Sequence, residues 1–435
     1  MKAVSRGARF HRTLLLARWR RSRCRRTTFI GITGSAGKTT AKELAALVLS
    51  TGGACQKSPG TSNEPVDVVK TIAKTTAQHR FCVVELSAHR PGSLDQPLRV
   101  LEPDIGVLMV VARDHFSAYK STEAIAVEKG KLVSALPGHG IAVLNIDDPL
   151  IKALGERCQR RVIWIGKSVG ATLKLIDARS RWPDPLTVAI EYQGKRHEVA
   201  TKLYGTQNSL PVLAALGVGL AAGVPLDRAI GVLKDATPHE GRMQIVNGAD
   251  GVVFVRDDWK APYWAIGAVF DFVGEARAAR KVIVIGTLSD YSRSPSKLYP
   301  KVAKRAREVA DLVVFVGSHA MRALKARRQP DDQGIQAFPD IRDAAAYLRR
   351  ELRSGDLVVL KGSNRADHLV RILLDRSEPV ACWRSGCCLL RFCNRCSKLH
   401  ASPTATAKEQ AVSDLVMRPA VKASSVVRRR SGRSP

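Results

Sequence analysis

The chain has 435 residues, 45% hydrophobic, 25% charged and 5% aromatic, and its 70 Lys and Arg against 39 Asp and Glu leave a net charge of +31. That composition excludes a disordered chain and a disulfide scaffold, and the length suggests two or three domains, each large enough to bury a core. The scarcity of aromatic residues argues against a sandwich or a base-stacking platform.

The charge is uneven. Residues 1–28 hold ten basic groups and no acid, residues 378–435 carry a net +8, and the stretch between carries +13. The ends would therefore draw an acidic polymer or an anionic surface without specifying a fold. The leader, residues 1–27, contains FHRTLLLARWRRSRCRR, Arg-rich and acid-free as in organelle transit peptides. Its apolar stretch is too short for a secretory core, and it is expected to be flexible. No apolar run approaches the roughly 18 residues of a bilayer span. Four cysteines are scattered and five crowd into residues 382–396, unlike the even framework of a secreted domain, so a cytoplasmic setting is expected.

From Thr28 onward, short apolar β-rich runs alternate with helical stretches: FIGIT, FCVVEL, DIGVLMVVA, GIAVLNI and RVIWIG. This is the rhythm of a parallel, doubly wound α/β sheet. Residues 171–203 read instead as hairpins, with LTVAIEY and RHEVATKL flanking Gln193-Gly194-Lys195. Two helices follow, broken at Gly223-Val224-Pro225. A second α/β unit alternates again through GVVFVRD, KVIVIG, DLVVFVG and DLVVLKG. The expected division is a central P-loop domain over 28–238, a C-terminal Rossmann-like domain over 239–377, a Cys cluster over 378–400 and a disordered basic tail over 401–435.

The strongest chemical signal is FIGITGSAGKTT, a β-run that ends in Gly34-Ser35-Ala36-Gly37-Lys38-Thr39-Thr40 and opens a helix. Glycines let backbone N–H groups wrap phosphates at a helix N-terminus, Lys38 neutralises phosphate charge, and the Thr39 hydroxyl is a Mg²⁺ ligand type. Ile32 stands where a strict P-loop has its first Gly, so the loop is a shortened variant. Glu85 ends one apolar strand and His115 follows another, which places both at the carboxyl edge of a parallel sheet. With Thr39 they form a candidate Mg²⁺ set against the phosphates of ATP; a solvated Glu and a loop His are the plain alternative.

GITGSAGKTT resembles the Mur ligases, the ATP-dependent amide-bond-forming enzymes of cell-wall synthesis and their relatives. The resemblance continues in order through TSNEP (61–65), VVELSAHRPG (83–92), DHFSAYKSTEAIAVEKGKLV (114–133), LNIDDP (144–149), YGTQNSLPVLAAL (204–216), EGRMQ (240–244) and LKGS (360–363). ELSAHRPG and EKGKL are similar to the branch that adds a D-alanyl-D-alanine dipeptide. The resemblance implies a ligase acting through an acyl phosphate on a carboxylate donor and an amino acid or peptide amine. It implies Lys129 at the position of a lysine carbamylated in several members. It further implies Asn208, Arg242 and Asp258 at the nucleotide, and Lys361 near the incoming amine. Asn208 also reads as a helix cap, and Arg242 as a linker charge.

The departures are equally specific. After Asp257 and Asp258 the branch continues Ser-Tyr-Asn-Ala-Asn-Pro, whereas this chain has Trp259-Lys260-Ala261-Pro262. Val110 stands where the family often has Asn, and the usual glycine-aspartate strand end is Gly286-Thr287-Leu288-Ser289-Asp290. Fewer than 30 residues precede the P-loop strand, so the family's UDP-sugar-binding domain is expected to be missing and the donor to differ from the standard UDP-muramoyl peptide or to be held differently. The alternative is a nucleotide-binding scaffold whose basic tails hold an acidic partner or nucleic acid. Cys382, Cys387, Cys393 and Cys396, with Cys388 and His400 nearby, could form a Zn²⁺ site, remain free thiols or include a redox pair.

Overall fold

The computed structural model describes residues 2–400 apart from 293, 386, 388 and 390, with side chains from Phe10 onward; the expected disordered tail, 401–435, lies outside the described residues. Two sheets organise it. The first is built from β1 (Thr28–Thr33), β2 (Cys55–Lys57), β3 (Phe81–Glu85), β4 (Ile105–Leu108), β5 (Ile141–Asn145), β6 (Arg161–Gly166), β7 (Leu173–Arg179), β8 (Thr187–Tyr192) and β9 (Lys195–Ala200). Their order is β2-β3-β1-β4-β5-β6-β7-β8-β9, parallel from β2 to β7 and antiparallel from there to β9. The alternation of apolar strands with helices yields the parallel part, and the hairpin-like stretch supplies the antiparallel edge, as the sequence predicts.

Because β1 lies between β3 and β4, connections leave it in opposite directions, and the loop after β1 sits at a topological switch point where such sheets bind ligands. One face of the sheet packs on the P-loop helix (Lys38–Ser50) and the apolar helix Ser209–Ala221. The other packs on Pro65–Lys74 and Asp95–Leu101.

The second sheet comprises β10 (Gln244–Asn247), β11 (Val253–Asp257), β12 (Arg280–Ile285), β13 (Leu312–Val316), β14 (Ile335–Phe338) and β15 (Asp356–Lys361), in the order β10-β11-β15-β12-β13-β14. Only β10 is antiparallel to its neighbour. Separate apolar clusters cover its two faces.

The leader departs from expectation. Residues 2–23 form a helix, and Leu14, Ala17 and Cys24 are buried against Val68, Val69, Ile72 and Leu98. Arg21 donates to the carbonyls of Leu101 at 2.9 Å and Glu102 at 2.8 Å, and its guanidinium stacks on Phe29. A stripe of small and apolar residues one turn apart is enough to dock the helix despite the surrounding arginines.

The domains meet at the link near Gly241. This residue has φ +68, and a Cβ there would run into the ring of Phe392 and lie 3.1 Å from Asp258 Oδ1. Phe392 belongs to the Cys-bearing segment, which thus wedges the junction. Gly241→Ala should destabilise the protein by about 1–3 kcal/mol through the left-handed backbone and overpacking. Adding Phe392→Ala should recover the overpacking part, so thermal midpoints of the two single variants and the double variant should be clearly non-additive.

Candidate active site

The P-loop helix begins at Lys38 with Gly37 as its N-cap, at φ 75 and without a side-chain cap. The first turn's N–H groups are therefore left for an anion. A Cβ on Gly37 would sit 2.9 Å from Met109 Cε, so only glycine allows the loop to pack this closely on the end of β4. Ser35 fixes the loop from the other side: its N–H donates to Val110 O at 2.7 Å, and its hydroxyl accepts from Ala112 N at 2.9 Å. Ala36 and Thr40 flank this turn, and Lys38 folds back to donate to Gly34 O at 2.8 Å.

Thr39 and Glu85 meet. Both are buried; the Thr39 hydroxyl donates to Glu85 Oε2 at 2.8 Å, and Asn63 Nδ2 donates to Oε1 at 2.8 Å. A hydroxyl, a carboxylate and an amide oxygen are the hard oxygen donors that Mg²⁺ prefers. Asn63 comes from TSNEP, whose approach is fixed by Lys42: this wholly buried ammonium donates to Ser58 O at 2.7 Å and Gly60 O at 2.5 Å and pairs with Glu43.

His115 joins a different group. Its backbone N–H donates to Asp290 Oδ1 at 3.1 Å, and its Nε2 lies 3.6 Å from Asp114 Oδ1. Burial holds its imidazole below the usual range despite Asp114, so the ring is a neutral donor. Among the described residues no three His, Cys, Asp or Glu side chains gather as a ready metal cage. Thr39 with Glu85, and His115 with Asp114, stand as two half-sites.

Lys260 bridges the cleft. Its ammonium lies 2.7 Å from Asp114 Oδ1 in the first domain and 3.2 Å from Asp290 Oδ2 in the second. Burial pushes the Asp114 carboxyl up, but the Lys38 and Lys260 ammonium groups outweigh it and hold the carboxyl below its ordinary value. Lys129 faces the same region and is buried; burial and then the Lys38 charge bring its amine down from 10.5 to about 7. Its neighbour Glu128 accepts from Gly92 N and Leu94 N, both at 2.9 Å, and so fixes the loop after Glu85.

On the second domain Asp258 is fully buried and weakly paired with Arg256 at 3.4 Å, while burial raises its carboxyl. Its Oδ1 has no hydrogen-bond partner among the described residues, and neither does Arg242 Nε. Both are positions expected to meet the nucleotide. Asn208 occupies the N-cap position of Ser209–Ala221, but its side chain makes no cap bond; Nδ2 donates to Tyr204 O at 2.7 Å. Lys361, expected near the amine, is buried, pairs with Asp257 at 2.6 Å and donates to Lys260 O at 3.1 Å. It shapes the Lys260 turn.

In the Cys cluster, the described thiols lie around Arg371 and His368. Cys393 is held by Arg371 Nε at 3.2 Å and Cys382 by Arg371 Nη2 at 3.8 Å, while Cys387 lies 3.1 Å from His368 Nε2. His368 Nδ1 also lies 3.6 Å from Cys393 Sγ, and His400 turns away to Pro379 O at 3.2 Å. Cys396 caps a short turn by donating its N–H to Cys393 O, and Cys388 lies outside the described residues. Sequence reasoning gave no site role to Asn63, Asp114, Lys260 and Asp290; all four stand inside segments quoted for other reasons, and nothing local marks their pairing.

Residues 32–219 match the Mur ligase middle domain and residues 241–364 the Mur ligase glutamate ligase domain. The UDP-N-acetylmuramoyl-tripeptide–D-alanyl-D-alanine ligase of Mycobacterium leprae is 27% identical over 367 residues, covering 78% of this chain and 71% of that protein. The corresponding enzyme of Escherichia coli is 25% identical over 67% of this chain and 65% of its own. Among solved structures, MurF from Acinetobacter baumannii superposes with a TM-score of 0.77 at 20% identity, covering 84% of this chain and 80% of that one. The MurF ligase from Thermotoga maritima in complex with ADP gives 0.73 at 23% identity, covering 84% and 83%. With two ligase domains in succession and a P-loop at the switch point of the first sheet, the chain belongs to the Mur ligase family, the ATP-dependent enzymes that join an acid to an amine.

Proposed function

We propose that this ligase activates a carboxylate donor as an acyl phosphate and passes it to an amino acid or peptide amine, with a donor other than the standard UDP-muramoyl peptide or a divergent donor site. The observation that carries the reading is the convergence of Lys38, Lys129 and Lys260 on one cleft beside an uncapped P-loop helix. Such a cleft suits a triphosphate and a carboxylate together. The divergent Trp259-Lys260-Ala261-Pro262 turn supports altered recognition, because Lys260 fills the space between the domains with a cation.

In this reading the loop N–H groups of 34–39 and Lys38 hold the β- and γ-phosphates. A donor carboxylate oxygen attacks the γ-phosphorus and ADP leaves. The amine nitrogen then attacks the acyl carbon, inorganic phosphate leaves, and the amine's proton passes to solvent or a nearby base. Thr39 and Glu85, with His115 from the loop after β4 of the same domain, would hold Mg²⁺, which offsets phosphate charge when bound. Asp258 and Arg242 carry unpartnered buried atoms where nucleotide contacts are expected. A neutral Lys129 is the protonation state from which a carbamate forms, and the carbamate would add a negative group facing the cations. Closure through Lys260 keeps water from the acyl phosphate.

Amine-dependent phosphate release from ATP, screened over pooled carboxylates and pooled amines, tests the reading. Release should need both substrates, and Lys38→Ala should lower it by about 10²–10³-fold. ATP binding with no release for any pair would favour the scaffold instead.

Lys129 adds a prediction in the absence of ligands. The folded chain releases this proton near pH 7, whereas the unfolded chain keeps it up to the ordinary lysine value of 10.5. The unfolded state thus binds the extra proton between those values, and stability rises with pH across that window. Lys129→Met removes the penalty. Urea midpoints of the nucleotide-free protein should show the variant's advantage over the parent as largest below about pH 7 and fading toward pH 10; an advantage independent of pH would refute it.

A further inference from the structure

The leader helix, Lys2–Arg23, uses one side to dock and leaves another unexplained. Leu14 and Ala17 face the protein, yet Leu15, Leu16 and Trp19 are 51%, 44% and 49% exposed. Single exposed apolar residues are ordinary. These three fall on adjacent turns of one outward face, at the i, i+1 and i+4 spacing that clusters side chains on a helix surface. Arg12 and Arg23 lie one turn beyond them at either end of the same face, and Arg18, Arg25 and Arg26 are also exposed. The guanidinium groups of Arg20 and Arg23 stand 5.0 Å and 5.7 Å from the Trp19 ring. No acidic residue occurs in 1–28.

We propose that this face is a membrane-docking surface, which inserts Leu15, Leu16 and Trp19 at the headgroup–acyl boundary of an anionic bilayer while the flanking arginines meet lipid phosphates. Charge complementarity selects the occupant. A second copy would bring the same acid-free, arginine-flanked face, with Arg12, Arg18 and Arg23 exposed, against its like and be repelled. A nucleic acid would satisfy the arginines but leave the apolar side chains without a partner, whereas an interfacial helix uses both: basic residues for anionic headgroups, Trp and Leu for the acyl boundary. No helix among the described residues is long and apolar enough to cross a membrane, so the helix lies on the surface. It rests on Pro65–Lys74, the helix that follows Asn63, and docking would turn that side of the P-loop domain toward the bilayer.

Co-sedimentation of the full chain with vesicles tests the proposal, comparing pure phosphatidylcholine with vesicles of about one part phosphatidylglycerol to two of phosphatidylcholine. The parent should bind the anionic vesicles at least about tenfold more tightly than the neutral ones. Leu15→Ser with Leu16→Ser and Trp19→Ser should weaken anionic-vesicle binding about tenfold or more. Arg12→Glu with Arg23→Glu should weaken it as well, and ATP binding by both variants should match the parent and show that they fold. Three outcomes would overturn the proposal: no vesicle binding by the parent, vesicle binding unchanged in both variants, or binding to duplex DNA or RNA without binding to vesicles.

Discussion

One ammonium group ties the working halves of the molecule together. Lys260, on the second domain, sits between Asp114 of the first and Asp290 of its own. Asp114 is almost wholly buried while the Lys260 side chain is about a third exposed, so the pair spares a buried carboxylate from standing without a counter-charge although solvent screens its cationic end. The same contact sets the neighbours. Asp290 receives the backbone N–H of His115, and Lys361 holds both Asp257 and the carbonyl of Lys260. The cleft geometry therefore depends on a residue from the Trp259-Lys260-Ala261-Pro262 turn, where the sequence reading marks a departure from the branch it resembles.

A second support acts behind the cleft. Phe392 packs on Trp259 at 5.2 Å between ring centroids and lies under the Arg256 guanidinium at 4.5 Å. Glu240 pairs with Arg395 and accepts from Asn394. The Cys-bearing segment thus grips the interdomain link and the strand end that carries Asp258. Its own anchor is polar: Arg371 donates to two sulfurs and to Arg384 O, and His368, lowered to about 4 by burial and then by the Arg371 charge, stays neutral beside the thiols. A guanidinium with fixed, forked donors can order a segment that has little apolar core of its own.

Features written in contiguous residues were legible in the sequence. The P-loop follows from a β-run, small residues and a helix within one stretch, and the sheet from the alternation of apolar runs. Glu85 was legible because a strand end fixes where its side chain emerges. Short strands such as β2 and β14 were not, having too few residues for a period to show. The docked leader was hidden because ten basic groups dominate its composition, while the docking stripe consists of Leu14, Ala17 and Cys24. The Lys260 bridge and the ion pair of Lys361 were hidden for another reason. They join residues more than 100 positions apart, and no local pattern encodes the partner of a charge.

The electrostatics of the cleft give these pieces a common logic. The Lys38 and Lys260 ammonium groups both act on Lys129 and raise the cost of charging it. For Lys260 the opposing cost is burial, and Asp114 and Asp290 outweigh it, so it keeps its proton more firmly than an ordinary lysine. Lys129, buried deepest and nearest in effect to Lys38, gives its proton up instead. A triphosphate entering this cleft meets two fixed cations and one amine poised between states, so phosphate charge and the protonation of Lys129 are linked. Negative charge at the P-loop favours the ammonium, and its departure favours the free amine. The surrounding fold holds the neighbouring segments in place, Glu128 clamping the loop after Glu85 and Lys42 anchoring the approach of Asn63.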